Sequence, residues 1–331
     1  MKTIRLHGTG DLRLHEEDKP TPAPAQALIH VTAIGVCGSD LHWFDEGSIG
    51  DARLNQPLIL GHEAAGVTES GERVAVDPVI PCDQCEQCRE GNPNLCTALH
   101  FAGHGKDDGA LREYMNWPVR CLYALPDALT DIDGAMLEPL GVALHAVDLG
   151  HVRPGMTAGV FGCGPIGLLI VQLLRTAGAT TIIGTDKLPH RLDASRSFGA
   201  TATFQAADGQ EAAQVLATTN GRGVDIAFEV AGANAAVEAA MAAAKPGARV
   251  ILVGIPAEDR TSFTASVARR KGLTIKLSRR MKHTYPRAIE LTASGKVDLR
   301  SLVTHRFPLA ESQKAFASAQ RREGLKTIIE T

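Results

Sequence analysis

Cys82, Cys85, Cys88 and Cys96 stand in the spacing C-x2-C-x2-C-x7-C, on a stretch rich in Asp, Glu, Gln, Gly, Asn and Pro. Four thiolates on a short polar loop can close tetrahedrally around zinc. Unrelated free cysteines would favour apolar surroundings, which this stretch lacks. With every coordination position filled by protein, such a metal is expected to stabilise and not to catalyse. Upstream lie Cys37-Gly-Ser-Asp-Leu-His42 and, further on, Gly61-His62-Glu63. Singly, Cys37 reads as a core residue and the His-Glu pair as surface. Together a thiolate, an imidazole and a carboxylate supply three ligands and leave a fourth position open, the arrangement of a catalytic zinc. Glu138, in AMLEPLG, is a carboxylate among apolar residues, where an unpaired charge is costly and a nearby cation is expected.

A third pattern, Gly162-Cys163-Gly164-Pro165-Ile166-Gly167, matches G-x-G-x-x-G between a strand-like and a helix-like segment. Its glycines would let a pyrophosphate approach the backbone at the positive end of a helix. Asp186 follows at the end of the next β-rich run, where an acid can accept hydrogen bonds from both ribose hydroxyls and would repel a 2′-phosphate, so NAD is preferred to NADP. Arg191 is the counter-indication, since a guanidinium can serve phosphate.

These residues need elements to position them. Before residue 145 or so the chain alternates short β-branched runs with Gly, Pro and Asp, as in ALIHVTAIGV, GERVAVDPVI and VRCLYALPD, which reads as irregular β structure. From Pro154 onward the strands TAGVFGCG, TTIIGTD, VDIAFEVAG and ARVILVG alternate with the helices PIGLLIVQLLRTAG, RLDASRSFG and ANAAVEAAMAAAKPG. That rhythm predicts a doubly wound parallel sheet. Beyond Ser278, TYPRAIELTASG, SLVTHRFPL and LAESQKAFASAQRR are expected to return to the first domain.

Composition narrows the function. A chain of 331 residues exceeds what one core usually serves. Its apolar content of 44% contains no run approaching a membrane span. A net charge of -3 gives no field that would favour nucleic acid or an anionic membrane, so small-molecule chemistry is expected. The start, MKTIRLHGTGDLRLHEE, has neither a signal-peptide apolar core nor a transit-peptide composition. Seven cysteines, four of them clustered, suit metal binding in a reducing compartment, so the expected location is cytoplasmic.

Taken together, CGSDLH, LGHEAAG, the four-cysteine loop, EPL and GCGPIG followed by Asp186 resemble the zinc-containing medium-chain dehydrogenases over essentially the whole chain. Glu63 after His62, EPL around Glu138, DDG at Asp107 to Gly109 and VTHRFPL at Val303 to Leu309 are similar to the sorbitol (polyol) dehydrogenase branch. The resemblance implies an α/β protein: a mainly β GroES-like catalytic domain from residues 1–148 and 280–331 with both zinc sites, and a Rossmann NAD-binding domain from residues 149–279. It implies a homo-oligomer, dimer or tetramer. Carried over, Cys37, His62 and Glu63 become catalytic zinc ligands, with Glu138 binding directly or through the metal's water. Ser39 and His42 become a proton relay, against their plain reading as a helix cap and a surface histidine. Trp43, Phe101 and Arg280 become substrate-pocket residues, with Arg280 expected to meet Glu138. Pro165, Ile166, Arg191, Val142, Val230 and Val253 join Gly162, Gly164, Gly167 and Asp186 as cofactor contacts, Val142 backing the nicotinamide. The chain departs from the branch at Arg279, where an aromatic is usual.

The expected enzyme binds two zinc ions per chain, one catalytic and one structural, and NAD. It interconverts a secondary alcohol of a sorbitol-, iditol- or xylitol-like polyol and the ketose. In the expected mechanism, zinc lowers the pKa of the substrate hydroxyl, Ser39, the cofactor ribose and His42 carry the proton away, and hydride passes to the nicotinamide. The alternatives are a sugar-acid (idonate-like) dehydrogenase, to which Arg279 and His104 would lend positive charge, a threonine-type amino-alcohol dehydrogenase, and a non-enzymatic zinc-stabilised redox sensor or scaffold that binds a dinucleotide.

Overall fold

The apolar run ALIHVTAIGV forms the strand Gln26–Gly35, whose second half is almost continuously buried. It is central in a seven-stranded sheet whose order is Leu122–Ala124, Arg73–Val76, Glu63–Thr68, Gln26–Gly35, Lys326–Glu330 and Val303–Pro308, with Tyr114–Pro118 also paired to Gln26–Gly35. The pairs are antiparallel except for Val303–Pro308 with Lys326–Glu330. Ile29, Val31, Ile34, Leu60, Val76 and Phe316 belong to the core this sheet covers.

The computed structural model describes residues 1–207 and 209–331. They divide into two units, Met1–Gly141 with Lys282–Thr331, and Val142–Met281. In the first, strand Lys326–Glu330 hydrogen-bonds the Gln26–Gly35 strand, Ile328 opposite Gly35, so the C-terminal segments do return to the sheet begun near the N-terminus.

The second unit holds a six-stranded parallel sheet in the order Ala202–Gln205, Thr181–Asp186, Thr157–Phe161, Val224–Glu229, Ala244–Leu252, Thr274–Leu277. In sequence order this is 3-2-1-4-5-6, the doubly wound arrangement whose ligand crevice opens where the order reverses, beside Thr157–Phe161. The alanine-rich helix ends at Ala243 and a strand begins at Ala244, earlier than the pattern AAAKPG suggests. Pro246 accounts for this, since the residue before a proline is driven from helical to extended backbone. Among the described residues of this unit four short elements escaped the sequence pattern, the strands Ala202–Gln205 and Thr274–Leu277 and the helices Glu211–Thr218 and Ala265–Lys271; in the first unit the helices Gly38–Glu46 and Asp131–Gly150 begin where the sequence reads as irregular β structure.

Candidate active site and metal centres

The strand Gln26–Gly35 delivers Cys37 to the N-cap of the helix Gly38–Glu46. The Cys37 backbone N–H donates to Asp40 Oδ2 at 3.0 Å, closing that helix end. Asp40 is buried, and its other oxygen accepts the Gly61 N–H at 3.2 Å and faces His62 Nδ1 at 3.3 Å. One carboxylate thus ties the helix start to the corner carrying His62. Holding a proton on Nδ1 leaves the Nε2 lone pair for a ligand, and Nε2 lies 3.4 Å from Ser39 Oγ. Burial opposes charge on His62, yet Asp40 and Cys37 hold it well above its ordinary value.

Glu63 begins the next strand, opposite Gly35. A Cβ at position 35 would stand 1.9 Å from Glu63 Oε2, so only glycine leaves room for the carboxylate. Glu63 is ion-paired with Lys326, whose Nζ also donates to the Val36 carbonyl at 2.9 Å; both side chains are buried. Donor atoms of Cys37, His62 and Glu63 all lie within 4.8 Å of one another. Among the described residues Glu138 is outside this group, but it feels the same charges. Burial pushes its carboxyl up to about 8, with His62 and Lys326 opposing and Glu63 and Asp77 reinforcing the rise. Thiol, imidazole and carboxylate converging in a buried region that already destabilises a neighbouring carboxylate is a donor set a divalent zinc fits.

Cys82, Cys85, Cys88 and Cys96 also place their sulfurs within 4.8 Å of one another. Backbone N–H groups point at them: Cys82 N at Cys96 Sγ, 3.3 Å, and Cys85 N at Cys82 Sγ, 3.4 Å. Backbone donation from Cys88 and Thr97 brings Cys85 down to about 6, while desolvation and the neighbouring thiols push Cys88 up to about 12. Sulfurs crowded together and met by N–H donors suit four thiolates around zinc, and the cluster fits a structural site.

In the second unit, Gly162 has φ 108°, and a Cβ there would stand 2.8 Å from Ala231 N; one on Gly167 would stand 2.0 Å from Gly162 O. Gly164 caps the helix Pro165–Thr176, with Pro165 and Ile166 in its first turn. Asp186 accepts from Cys163 N at 2.8 Å and Leu188 N at 2.9 Å, with Arg191 Nη1 4.0 Å away. Backbone donors fix the acid beside the glycine turn. Val230 N donates to Phe161 O and Val253 N to Glu229 O, continuing the ladder past the strand ends.

Phe101 packs on the His62 ring with centroids 5.1 Å apart, and His104 meets Trp43 edge-on at 5.4 Å. Trp43 is wholly buried, so it supports the wall more than it lines it. His42 pairs with Glu46 at 3.1 Å. Arg280 and Val142 belong to the second unit, and Arg280 is held at φ 53°. Sequence reasoning passed over three residues of the site. Asp40 stood inside CGSDLH as a spacer, Gly35 left no signal beyond its type, and Lys326 is remote in sequence from its partner.

Residues 165–294 match the zinc-binding dehydrogenase family and residues 23–127 the alcohol dehydrogenase GroES-like domain. The chain is 35% identical to sorbitol dehydrogenase of Bacillus subtilis (strain 168), covering 99% of this chain and 97% of that one. It is 38% identical to a probable D-xylulose reductase A of Arthroderma otae, covering 95% and 93%. The crystal structure of an alcohol dehydrogenase from Escherichia coli CFT073 complexed with NADH superposes with a TM-score of 0.92 at 28% identity, covering 100% and 99%.

Proposed function

We propose that this chain, which belongs to the zinc-containing medium-chain alcohol dehydrogenases and to their sorbitol dehydrogenase branch, oxidises a secondary hydroxyl of a polyol to the ketose with NAD as hydride acceptor. The observation that carries the reading is the convergence of Cys37, His62 and Glu63, three donors that leave a coordination position for substrate. The polyol class rests on the sorbitol dehydrogenase and xylulose reductase relatives. When bound, zinc supplies Lewis acidity that makes the substrate hydroxyl easier to deprotonate. The chain's residues do the rest. Asp40 fixes the His62 tautomer, Phe101 packs against the imidazole, and Ser39 is proposed to relay the hydroxyl proton, releasing its own toward the cofactor ribose and His42 as it accepts one. His42, three residues along the same helix and so on the same face, hands protons to solvent with Glu46 beside it. Glu138 is proposed to reach the metal through its water, and Trp43, Phe101 and Arg280 to shape the pocket. Residues 1–148 and 280–331 are assigned to the catalytic domain and 149–279 to the cofactor domain.

The test follows NADH absorbance at 340 nm with polyols, aldonates and amino alcohols. Xylitol or sorbitol should be the best substrates. A preference for an aldonate replaces the polyol reading with a sugar-acid dehydrogenase, and a preference for threonine with an amino-alcohol one. No turnover with any alcohol leaves a binding scaffold.

Preference for NAD rests on Asp186. Hydrogen bonds to a charged acceptor are worth about 1.5–3 kcal/mol, or roughly 10- to 100-fold. Asp186→Ala should weaken NAD by about that factor and raise NADP relative to it, since Arg191 is already adjacent. An unchanged ratio of the two catalytic efficiencies would remove the basis of the cofactor choice.

Seven unpaired cysteines favour a reducing compartment, and the proposed location is the cytoplasm. No helix among the described residues is long and apolar enough to cross a membrane. The proposed assembly is a homo-oligomer, supported by the edge strand Thr274–Leu277, where Leu277 is 74% exposed. Leu277→Lys should shift the mass measured by light scattering toward the protomer at micromolar concentration. An unaltered mass would move the interface elsewhere.

A further inference from the structure

We infer that Lys326 is a positioning residue for the catalytic metal, holding the Glu63 carboxylate where Cys37 and His62 can share a cation with it. The inference rests on the reading of Cys37, His62 and Glu63 as a metal centre. Three adjacent strands build the slot: Glu63 from one, Gly35 from the next and Lys326 from the third. The Lys326 side chain is 3% exposed and that of Glu63 1%. Anchoring the ammonium on the Val36 carbonyl, one residue before Cys37, registers the carboxylate against the thiol-bearing segment. The missing Cβ at Gly35 admits the carboxylate oxygen that Lys326 contacts.

A buried ion pair is weak evidence for stability, because well-packed apolar residues often do as well. Apolar residues could not, however, direct the Glu63 carboxylate beside the other two donors. Removing Lys326 takes away the contact that directs the carboxylate, and a carboxylate that turns from the other two donors is withdrawn as a ligand. Lys326 therefore acts on the metal through Glu63, and partners of this kind are worth about 10- to 100-fold in metal affinity.

The experiment compares Lys326→Met, Glu63→Gln, the double variant and Lys326→Arg as holoenzymes. Zinc content is followed during dialysis against graded chelator, and the cobalt-substituted proteins are examined by visible absorption. Lys326→Met should hold the catalytic zinc about 10- to 100-fold more weakly, keep the four-cysteine zinc and show a changed cobalt band. The double variant should be no worse than Glu63→Gln alone, and Lys326→Arg should recover part of the loss. If Lys326→Met does not fold, the double variant and Lys326→Arg carry the comparison, since neither leaves a lone buried charge. Unchanged zinc retention and cobalt spectrum in Lys326→Met overturn the inference. So does an additive loss in the double variant, which would make the lysine a structural residue acting apart from Glu63. A wild-type protein with one zinc per chain overturns the underlying metal-centre reading instead.

Discussion

His62→Ala is expected to leave a folded protein with one zinc per chain and to lower kcat/KM for a polyol by roughly three orders of magnitude or more. A Lewis acid contributes several kcal/mol of charge stabilisation, and each 1.36 kcal/mol is a factor of about ten. Removing the imidazole takes one donor from a set of three and leaves Cys37 and Glu63 to hold the ion. Folding should survive, because Asp40 keeps its two backbone donors, the Cys37 and Gly61 N–H groups. Phe101 loses the ring it packs on, which costs some stability locally. Metal analysis, circular dichroism and steady-state kinetics on one preparation check the three parts. Two zinc ions with near-normal turnover in His62→Ala would show that chemistry does not run through this group.

Cys88→Ser should have the opposite profile, with a large loss of stability and a small effect on chemistry. Structural zinc is worth an apparent ~10–16 kcal/mol in isolated zinc-finger peptides. Here the loop is attached to a sheet with its own core, so only part of that figure should be lost. Even about 3 kcal/mol moves the midpoint by roughly 6–12 °C in a domain of this size. The loop has other attachments: Arg120 reaches the Pro81 carbonyl at 3.0 Å and Lys282 the Asn92 side chain at 2.7 Å. Those contacts should keep the surviving folded molecules within about threefold of normal kcat, since none involves the Cys37, His62 and Glu63 donors. Scanning calorimetry with and without chelator reads the shift. A wild type whose four thiols alkylate freely at full stability would remove the structural zinc.

The parts of the site legible in the sequence are those whose chemistry is local. Four cysteines within one loop announce a tetrahedral site by spacing alone, and the glycine turn announces itself by standing between a strand and a helix. Cys37 and His62 are separated by the helix Gly38–Glu46 and the short strands Ser48–Ile49 and Ala52–Arg53 but lie on patterns distinctive enough to be joined. What was missed is long-range or plain in type. Nothing in GLKTIIE marks Lys326 as the counter-charge of Glu63, because that relation exists only once strand Lys326–Glu330 pairs with Gln26–Gly35. Gly35 reads as one more glycine after a β-branched run until the carboxylate opposite is in place. The fold shows the same division. Most strands and helices with strong apolar runs were found, but the helix Asp131–Gly150, interrupted by Pro139, was read as part of the irregular β region, and the four-residue edge strand Thr274–Leu277 and the eight-residue helix Glu211–Thr218 carry too little periodicity to stand out.

Placing strand Lys326–Glu330 against Gln26–Gly35, inside the sheet and not at its rim, also governs the order of events at the ribosome. The segments bearing Cys37, His62 and Glu63 emerge roughly tens of seconds before Lys326 does. During that interval the nascent chain carries thiol, imidazole and carboxylate without the ammonium that neutralises the carboxylate, and the open flank of the Gln26–Gly35 strand lacks its neighbour. A ribosome that stalls short of Lys326 therefore releases a polypeptide with an exposed strand edge, open to proteolysis and to self-pairing. Chains cut short of Lys326 thus lack both the counter-charge of Glu63 and the neighbour of the Gln26–Gly35 strand.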